Sequence, residues 1–448
     1  MGALCCARLC CAQLSCAATP PPAPEYRDPV TVFGDCGPLT EASSERIQFI
    51  GRYVINGTDI EYSYSSSIIR FVVETSSDSC LLGVTMGSPG DGSRAKKMRG
   101  LLGSAPNGIP KKAGAFMNVY INGVLSSKFA VEDGDPKQYI IANPLPEGKS
   151  LIEISKCTEG LFGMVVFKGI NMSEGVTLLA PPARKKTIEF IGDSDTTAYC
   201  SVGPYTLRMV SIFKHMILWS DTDQSAAMYI SKSFGADHHN LAVSGIGLMH
   251  QGDKYGPTNV GGPSPEHYED IISFNWGVPL GDERYAVGAM PQVDLVVIWQ
   301  GQNDVCVGCG PGKIAQGVQA YKAQLEAIRK HRPETPILCL YPDGLIGTTH
   351  PKHPLMGGFK KRQKGVTEDI KAWAVGAAEA CGGSGNGMYT RAVKMDPEFD
   401  PHRDFGAMGE AGVEGQKKWA RGVVPHIKDI MGWEVVSAIE LNENVVVK

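Results

Sequence analysis

No stretch of this 448-residue chain approaches the ~18 apolar residues that a membrane-crossing helix needs. A surplus of either charge is also missing. Lys and Arg number 43 against 47 Asp and Glu, for a formal net charge of −4. That balance argues against nucleic acid or an anionic membrane surface as partner. The one local run of base, Lys96, Lys97, Arg99, Lys111 and Lys112, falls in a Gly- and Pro-rich stretch and reads as a solvated loop. Internal repeats are absent. Metal-ligand spacing is scarce too: Cys306-Val307-Gly308-Cys309 has no second pair at the distance a zinc site requires, and reads as free thiols or a local disulfide. His238, His239, His250, His350 and His353 show no ligand spacing, so neither metal nor cofactor is expected.

Cysteine is unevenly spread. Five of the thirteen, Cys5, Cys6, Cys10, Cys11 and Cys16, crowd into MGALCCARLCCAQLSCAATPPPAP. As a signal peptide this segment lacks a basic start, and Arg8 interrupts its apolar run, although Ser15-Cys16-Ala17 would suit cleavage. As a lipidation signal it has Met-Gly but Cys6 where Ser or Thr is needed. Two sequons, Asn56-Gly57-Thr58 and Asn171-Met172-Ser173, favour a secreted or endomembrane protein over a cytoplasmic one. Residues 1–31 are set aside as a targeting or disordered segment with a Pro-rich linker.

What is present divides in two. From 32 to 180 the pattern is all-β. TDIEYSYSSSIIRFVVETSS predicts two strands about a small polar turn, and Asn122-Gly123 between apolar runs predicts a two-residue hairpin. QYIIANPL, SLIEIS and GMVVFKGI follow at short spacing, as in a sandwich of jelly-roll type. After PPARKK the pattern becomes alternating strands and helices over 181–435, the mark of a mostly parallel sheet in a three-layer α/β domain, with 436–448 as a tail. TIEFI, DLVVIW and ILCLY are near-continuously apolar, as strands covered on both faces are. Ile314, Val318, Tyr321, Leu325 and Ile328 predict one helix face. Trp419, Val423, Ile427 and Ile430 predict another, with Pro425 as a kink or break.

Ligands of such sheets bind where strands end and loops begin. Gly192-Asp193-Ser194 follows TIEFI, Ser244-Gly245-Ile246-Gly247 follows HHNLAV, and Gly301-Gln302-Asn303-Asp304 follows DLVVIWQ. Asp400-Pro401-His402 precedes the last helix. Each has a plain structural use as cap, turn or surface loop. Their order and spacing resemble the SGNH (GDSL-type) hydrolases, and most nearly the family-two carbohydrate esterases, in which a β-sandwich precedes the SGNH domain. IEFIGDS, VSGIGL, VDLVVIWQGQND and DPH with GVEGQKKWA resemble that family's blocks, and the resemblance runs from about Gly51 to Trp433.

The resemblance implies a serine esterase acting on an acetylated carbohydrate such as xylan. Ser194 would be the nucleophile, His402 its base and Asp400 the carboxylate that orients the ring. The N–H groups of Ser194 and Gly245 and the side-chain amide of Asn303 would face the oxyanion, each worth about 3 kcal/mol. A monomer without cofactor suffices for this chemistry. Sugar O-acyl transfer, or carbohydrate binding without catalysis, are the alternatives. The first block departs from the family, which continues with an aliphatic residue, Thr and Gly-Tyr-Gly. Here Asp195, Thr196, Thr197, Ala198, Tyr199 and Cys200 stand instead. An ionised Asp195 ~6 Å from the oxyanion would cost roughly 3 kcal/mol; one pointing along the helix would only complement its dipole. RDFGAMGEA lengthens the approach to the last helix, which makes Asp396 and Asp404 rivals to Asp400.

Overall fold

The computed structural model describes residues 31–77, 79–88, 113–204, 215, 217–249, 264–270, 290–304, 313–342, 360–381, 390–395, 404–407 and 410–439. The N-terminal segment, the basic cluster at 96–112, Cys306, Cys309, His250, His350, His353, Asp396, Asp400, His402 and the 440–448 end lie outside them.

Two antiparallel sheets form the first half. In one, β3 (Val54–Asn56), β4 (Asp59–Tyr62), β11 (Val165–Met172), β6 (Leu82–Ser88) and β9 (Gly134–Ala142) lie side by side, and β1 (Leu39–Glu41) also pairs with β11. In the other the order is β12 (Val176–Leu179), β5 (Ile68–Thr75), β10 (Gly148–Lys156), β7 (Ala113–Ile121) and β8 (Val124–Glu132), with β2 (Gln48–Ile50) beside β5. Their inner faces share one core that includes Tyr62, Phe71, Val84, Met117, Phe129, Ile152 and Phe167. The β7–β8 hairpin turns at Asn122 and Gly123, with φ of 52° and 81°, the double positive φ expected of Asn-Gly.

The second half is a parallel sheet ordered β14 (Asp237–Asn240), β13 (Thr187–Gly192), β15 (Leu295–Trp299), β16 (Ile337–Pro342) and β17 (Thr390–Met395). Period two along β15 explains its double burial. Leu295, Val297 and Trp299 face α2 (Ala226–Phe234) and α5 (Val413–Met431), while Val296 and Ile298 face α3 (Ile314–His331) and α4 (Lys360–Ala380). Trp299 meets Trp419 of α5 edge to face at 4.1 Å. Helix α5 runs unbroken through Pro425, so the expected break does not occur. Ile314 corrects the expected face of α3: it is 47% exposed, because it opens the helix beyond the edge of the core.

Buried polar ties fasten sandwich to sheet. Arg52 reaches Glu189 of β13 at 3.2 Å, and Arg332 reaches the same carboxylate at 3.1 Å. Asn118 and Ser155 bond Asp223 at 2.8 and 2.6 Å, and Lys128 pairs with Asp221 at 3.1 Å. A buried charge without such partners would be strongly destabilising. One sequon is also accounted for: Asn56 is exposed, whereas Asn171 is 5% exposed and bonded to Thr85 and Gly37, so it cannot serve as a surface acceptor in the folded chain.

Candidate active site

The end of β13 turns sharply. A Cβ on Gly192 would lie 2.0 Å from Thr196 Oγ1, so only glycine permits the turn. Asp193 then caps the single turn α1 (Ser194–Thr197), its Oδ1 accepting from Asp195 N at 3.2 Å. Capping thus falls to Asp193 and leaves the half-buried Ser194 hydroxyl for other work. Ala198 and Cys200 follow with φ of 53° and 56°. These are the two positions where the resemblance expects glycine. The backbone keeps the glycine path without the glycines, at a strain of roughly 1–2 kcal/mol each.

The second block docks beside the first through Val243 N on Gly192 O at 3.2 Å. Gly245 has φ 84°, which suits glycine alone and aims its N–H away from the regular turn. The peptide it belongs to is fixed from the sandwich. Glu159 accepts the Ser244 hydroxyl at 2.6 Å and the Ser244 N–H at 2.8 Å. Among the described residues no acceptor is paired with the N–H of Ser194 or of Gly245.

The third block closes the cluster. Gln302 Nε2 bridges Asp193 Oδ1 at 2.9 Å and Asp195 Oδ2 at 2.7 Å. Asn303 Nδ2 donates to Asp193 Oδ2 at 2.9 Å and to Ile246 O at 3.0 Å. Both N–H bonds of the expected oxyanion amide are therefore engaged. The bond to the neutral Ile246 carbonyl is the weaker and the one a developing oxyanion would displace. Ser194, Gly245 and Asn303 are thus brought together.

His402 and Asp400 lie outside the described residues, as does Asp396. Asp404 is described: it is buried and pairs with Lys418 of α5 at 2.5 Å. From this region Glu410 lies near enough to Asp195 and Asp193 for their charges to act on its carboxyl. Its backbone is held by Gly406 N on Glu410 O at 2.8 Å, while Ala407 N docks on Cys200 O at 3.2 Å. Nearby, Gln416 Nε2 of α5 bonds Asp195 O at 2.9 Å.

Asp195 follows neither expected course in pure form. It is 2% exposed, with Oδ2 taken by Gln302 and Oδ1 without a hydrogen-bond partner. Burial pushes its pKa to about 6, against the lowering bond from Gln302. Burial, then the charges of Asp195 and Asp193, holds Glu410 well above the usual carboxylate range. Asp193 is likewise raised by burial and by Asp195. The group keeps protons at pH values where isolated carboxyls have lost them.

Sequence reasoning missed Glu410 and Glu159. The signal for Glu410 was the lengthened RDFGAMGEA, in which it stands three positions before α5. Glu159 gave no signal, since its partner is 85 residues away in another domain. Among the described residues no cluster could hold a metal ion, and His238 instead bonds Ser66 O at 2.9 Å, its pKa lowered by burial to about 4.

Comparison with known proteins agrees with this architecture. A family model described as Carbohydrate esterase 2 N-terminal matches residues 104–182. The chain is 27% identical over 353 residues to the cellulase/esterase CelE of Acetivibrio thermocellus, covering 74% of this chain and 39% of that protein. It is 28% identical over 162 residues to an acetylxylan esterase / glucomannan deacetylase of Cellvibrio japonicus, covering 36% of this chain and 41% of that protein. The chain spans about two-fifths of the length of these curated relatives. A family two carbohydrate esterase from Clostridium thermocellum, solved in complex with cellohexaose, superposes with a TM-score of 0.64 at 21% identity, over 86% of this chain and 99% of that one. That last likeness is one of fold.

A β-sandwich joined to a parallel sheet whose strand ends gather a serine, a glycine and an asparagine is the arrangement that the resemblance to the SGNH hydrolases leads one to expect. The matched family model and the relatives make the chain similar to the family-two carbohydrate esterases.

Proposed function

We propose that the chain is a serine carbohydrate esterase that removes acetyl groups from sugar hydroxyls, as on acetylated xylan. The observation that carries this reading is the convergence of Ser194, the Gly245 peptide and Asn303 at one end of the parallel sheet. The names of the curated relatives, cellulase/esterase and acetylxylan esterase / glucomannan deacetylase, support a carbohydrate ester as substrate. In this reading Ser194 Oγ attacks the acetyl carbonyl, and the oxyanion is met by the N–H groups of Ser194 and Gly245 and by Asn303 Nδ2. The sugar oxygen departs with a proton, and water clears the acyl-enzyme. In this reading His402, oriented by Asp400, carries that proton. We read the sandwich, residues 32–180, as jelly-roll type, the catalytic domain as 181–435, and the protein as a secreted or endomembrane monomer.

Acetate release from acetylated xylan tests the reading. Native protein should release acetate and Ser194→Ala should not, with its fold intact; a fully active Ser194→Ala variant overturns it. A second reading is favoured by one observation, the buried Asp195 carboxyl in the turn that carries Ser194. It is a carbohydrate-binding protein that has lost catalysis, shown by glycan binding with no acetate released from any acetylated glycan.

A further inference from the structure

Two neighbouring side chains of the third block close on one carboxylate of the first. Gln302 Nε2 donates to Asp193 Oδ1 at 2.9 Å, and Asn303 Nδ2 donates to Asp193 Oδ2 at 2.9 Å. Asp193 Oδ1 also accepts from Asp195 N at 3.2 Å, the bond that caps the turn carrying Ser194. The same Gln302 nitrogen donates to Asp195 Oδ2 at 2.7 Å. Asp195 Oδ1 has no hydrogen-bond partner and the residue is buried, so the bond from Gln302 is what offsets the loss of water around this carboxyl. Gln302 is itself buried, and its loop is set by Gly301, whose φ of 118° suits glycine and whose Cβ would lie 3.3 Å from Ile370.

We propose that Gln302 is a positioning residue: its amide stands between two buried acids, holds Asp195 within the turn, and so keeps Ser194 in register with Asn303. The proposal rests on the esterase reading for the roles of Ser194 and Asn303. Two hydrogen bonds leaving one trigonal nitrogen put their acceptors ~5 Å apart. Carboxylates that close in a buried site oppose each other's ionisation. An amide gives each of them a donor and brings no charge of its own. Neither an acid nor an aliphatic side chain at 302 can do both. Without the amide, the carboxylate that fixes Asn303 Nδ2 has one donor fewer and stands beside an acid that has lost its bond. The turn that bears the nucleophile and the amide that faces the oxyanion are then disturbed together.

Gln302 and Asp195 should therefore depend on each other. The chain carries an acid where the resemblance expects an aliphatic residue, and the structure supplies that acid with a partner from the third block. An aliphatic side chain at 195 removes the carboxyl that half of the amide serves. Changes at the two positions should then cost less together than the product of their separate effects, which is the signature of residues in one hydrogen-bond network.

The rate at which a fluorophosphonate labels Ser194, read by mass spectrometry of the peptide below each variant's unfolding transition, tests this without a carbohydrate. Gln302→Met keeps the length and loses both donors, and should be labelled about tenfold more slowly than native protein or worse. Gln302→Met combined with Asp195→Ile should be labelled within about threefold of Asp195→Ile alone. Gln302→Glu, which keeps the shape and adds a third acid, should be slower than Gln302→Met. A native rate in Gln302→Met, with only its urea midpoint lowered, shows a purely structural residue and overturns the proposal. The same slowing by Gln302→Met whether residue 195 is Asp or Ile also overturns it. If Gln302→Met does not fold, the double variant decides: folded and labelled like Asp195→Ile it upholds the proposal, and unfolded or still slow it overturns it. A native Ser194 that takes no label overturns the esterase reading and this proposal with it, whereas a labelled native protein with either failed comparison overturns this proposal alone.

Discussion

Glu159 holds Ser244 twice, through its hydroxyl at 2.6 Å and its N–H at 2.8 Å, so a sandwich residue sets the peptide that presents Gly245 N–H. The sandwich is therefore part of the site's framework. Glutamine at 159 would turn an NH2 towards one of these two donors, leaving a buried group unpaired at a cost of about 1–3 kcal/mol. Glu159→Gln should lower both the denaturation midpoint and kcat, the latter by roughly tenfold or more. Urea titration and acetate release measure the two; native values in both would contradict the role given to this pair.

Asn303 joins the first and second blocks through Asp193 and Ile246. Asn303→Ala should reduce kcat by about 100-fold with KM little changed, as removal of an oxyanion donor does. It should also destabilise the fold by about 1–3 kcal/mol, because Asp193 Oδ2 loses its donor. A change in KM alone would show that the amide meets substrate and not the oxyanion.

Lys156 is fully buried, donating to Thr158 O at 2.5 Å and Glu159 O at 3.1 Å, and burial lowers its pKa to about 7. Between about 7 and the ordinary lysine value of 10.5 the unfolded chain holds a proton that the folded one lacks. Stability contributed by this group therefore rises with pH across that window and is lost as pH falls towards 7, with a slope of at most about 1.4 kcal/mol per unit. Lys156→Met should remove the slope. Subtracting its urea-derived stability from that of native protein at pH 7, 8 and 9 isolates the effect; a flat difference would refute it.

Glu189 carries two guanidinium groups, Arg52 from the sandwich side and Arg332. Burial alone would raise its pKa, but Arg52, then Arg332, hold it well below the carboxylate range. Glu189→Leu removes the carboxylate that two buried guanidinium groups share, and should cost about 3–5 kcal/mol. A denaturation midpoint within error of native would contradict this.

Asn56 and Asn171 make opposite predictions in a secretory host. Asn56 is exposed at the end of β3 and Asn171 is buried and bonded. Asn56→Gln should remove a glycan mass and Asn171→Gln should not, as read by mass spectrometry before and after glycosidase treatment.

Local patterns were legible in the sequence. Asn122-Gly123 announced its hairpin, because double positive φ is a property of those two residues. The three apolar strands β13, β15 and β16 announced themselves because burial on both faces leaves no room for polar alternation. Ile314 misled, since periodicity fixes a face but not how far the core extends beneath it. Loss of the glycines at 198 and 200 suggested an altered turn, yet tertiary contacts hold Ala198 and Cys200 on the glycine path. The site's acids were hidden for a different reason. That the charge of Asp195 acts on Glu410 depends on a loop folded back across 215 residues of chain, and no spacing rule reaches that far.

The most direct test of the central claim is to mix the protein with an acetylated oligosaccharide, quench in acid during turnover, and map acetylation by peptide mass spectrometry. The account predicts an acetyl group on Ser194 and on no other residue, absent from Ser194→Ala. Acetate released with Ser194 unmodified, and undiminished in Ser194→Ala, would contradict it.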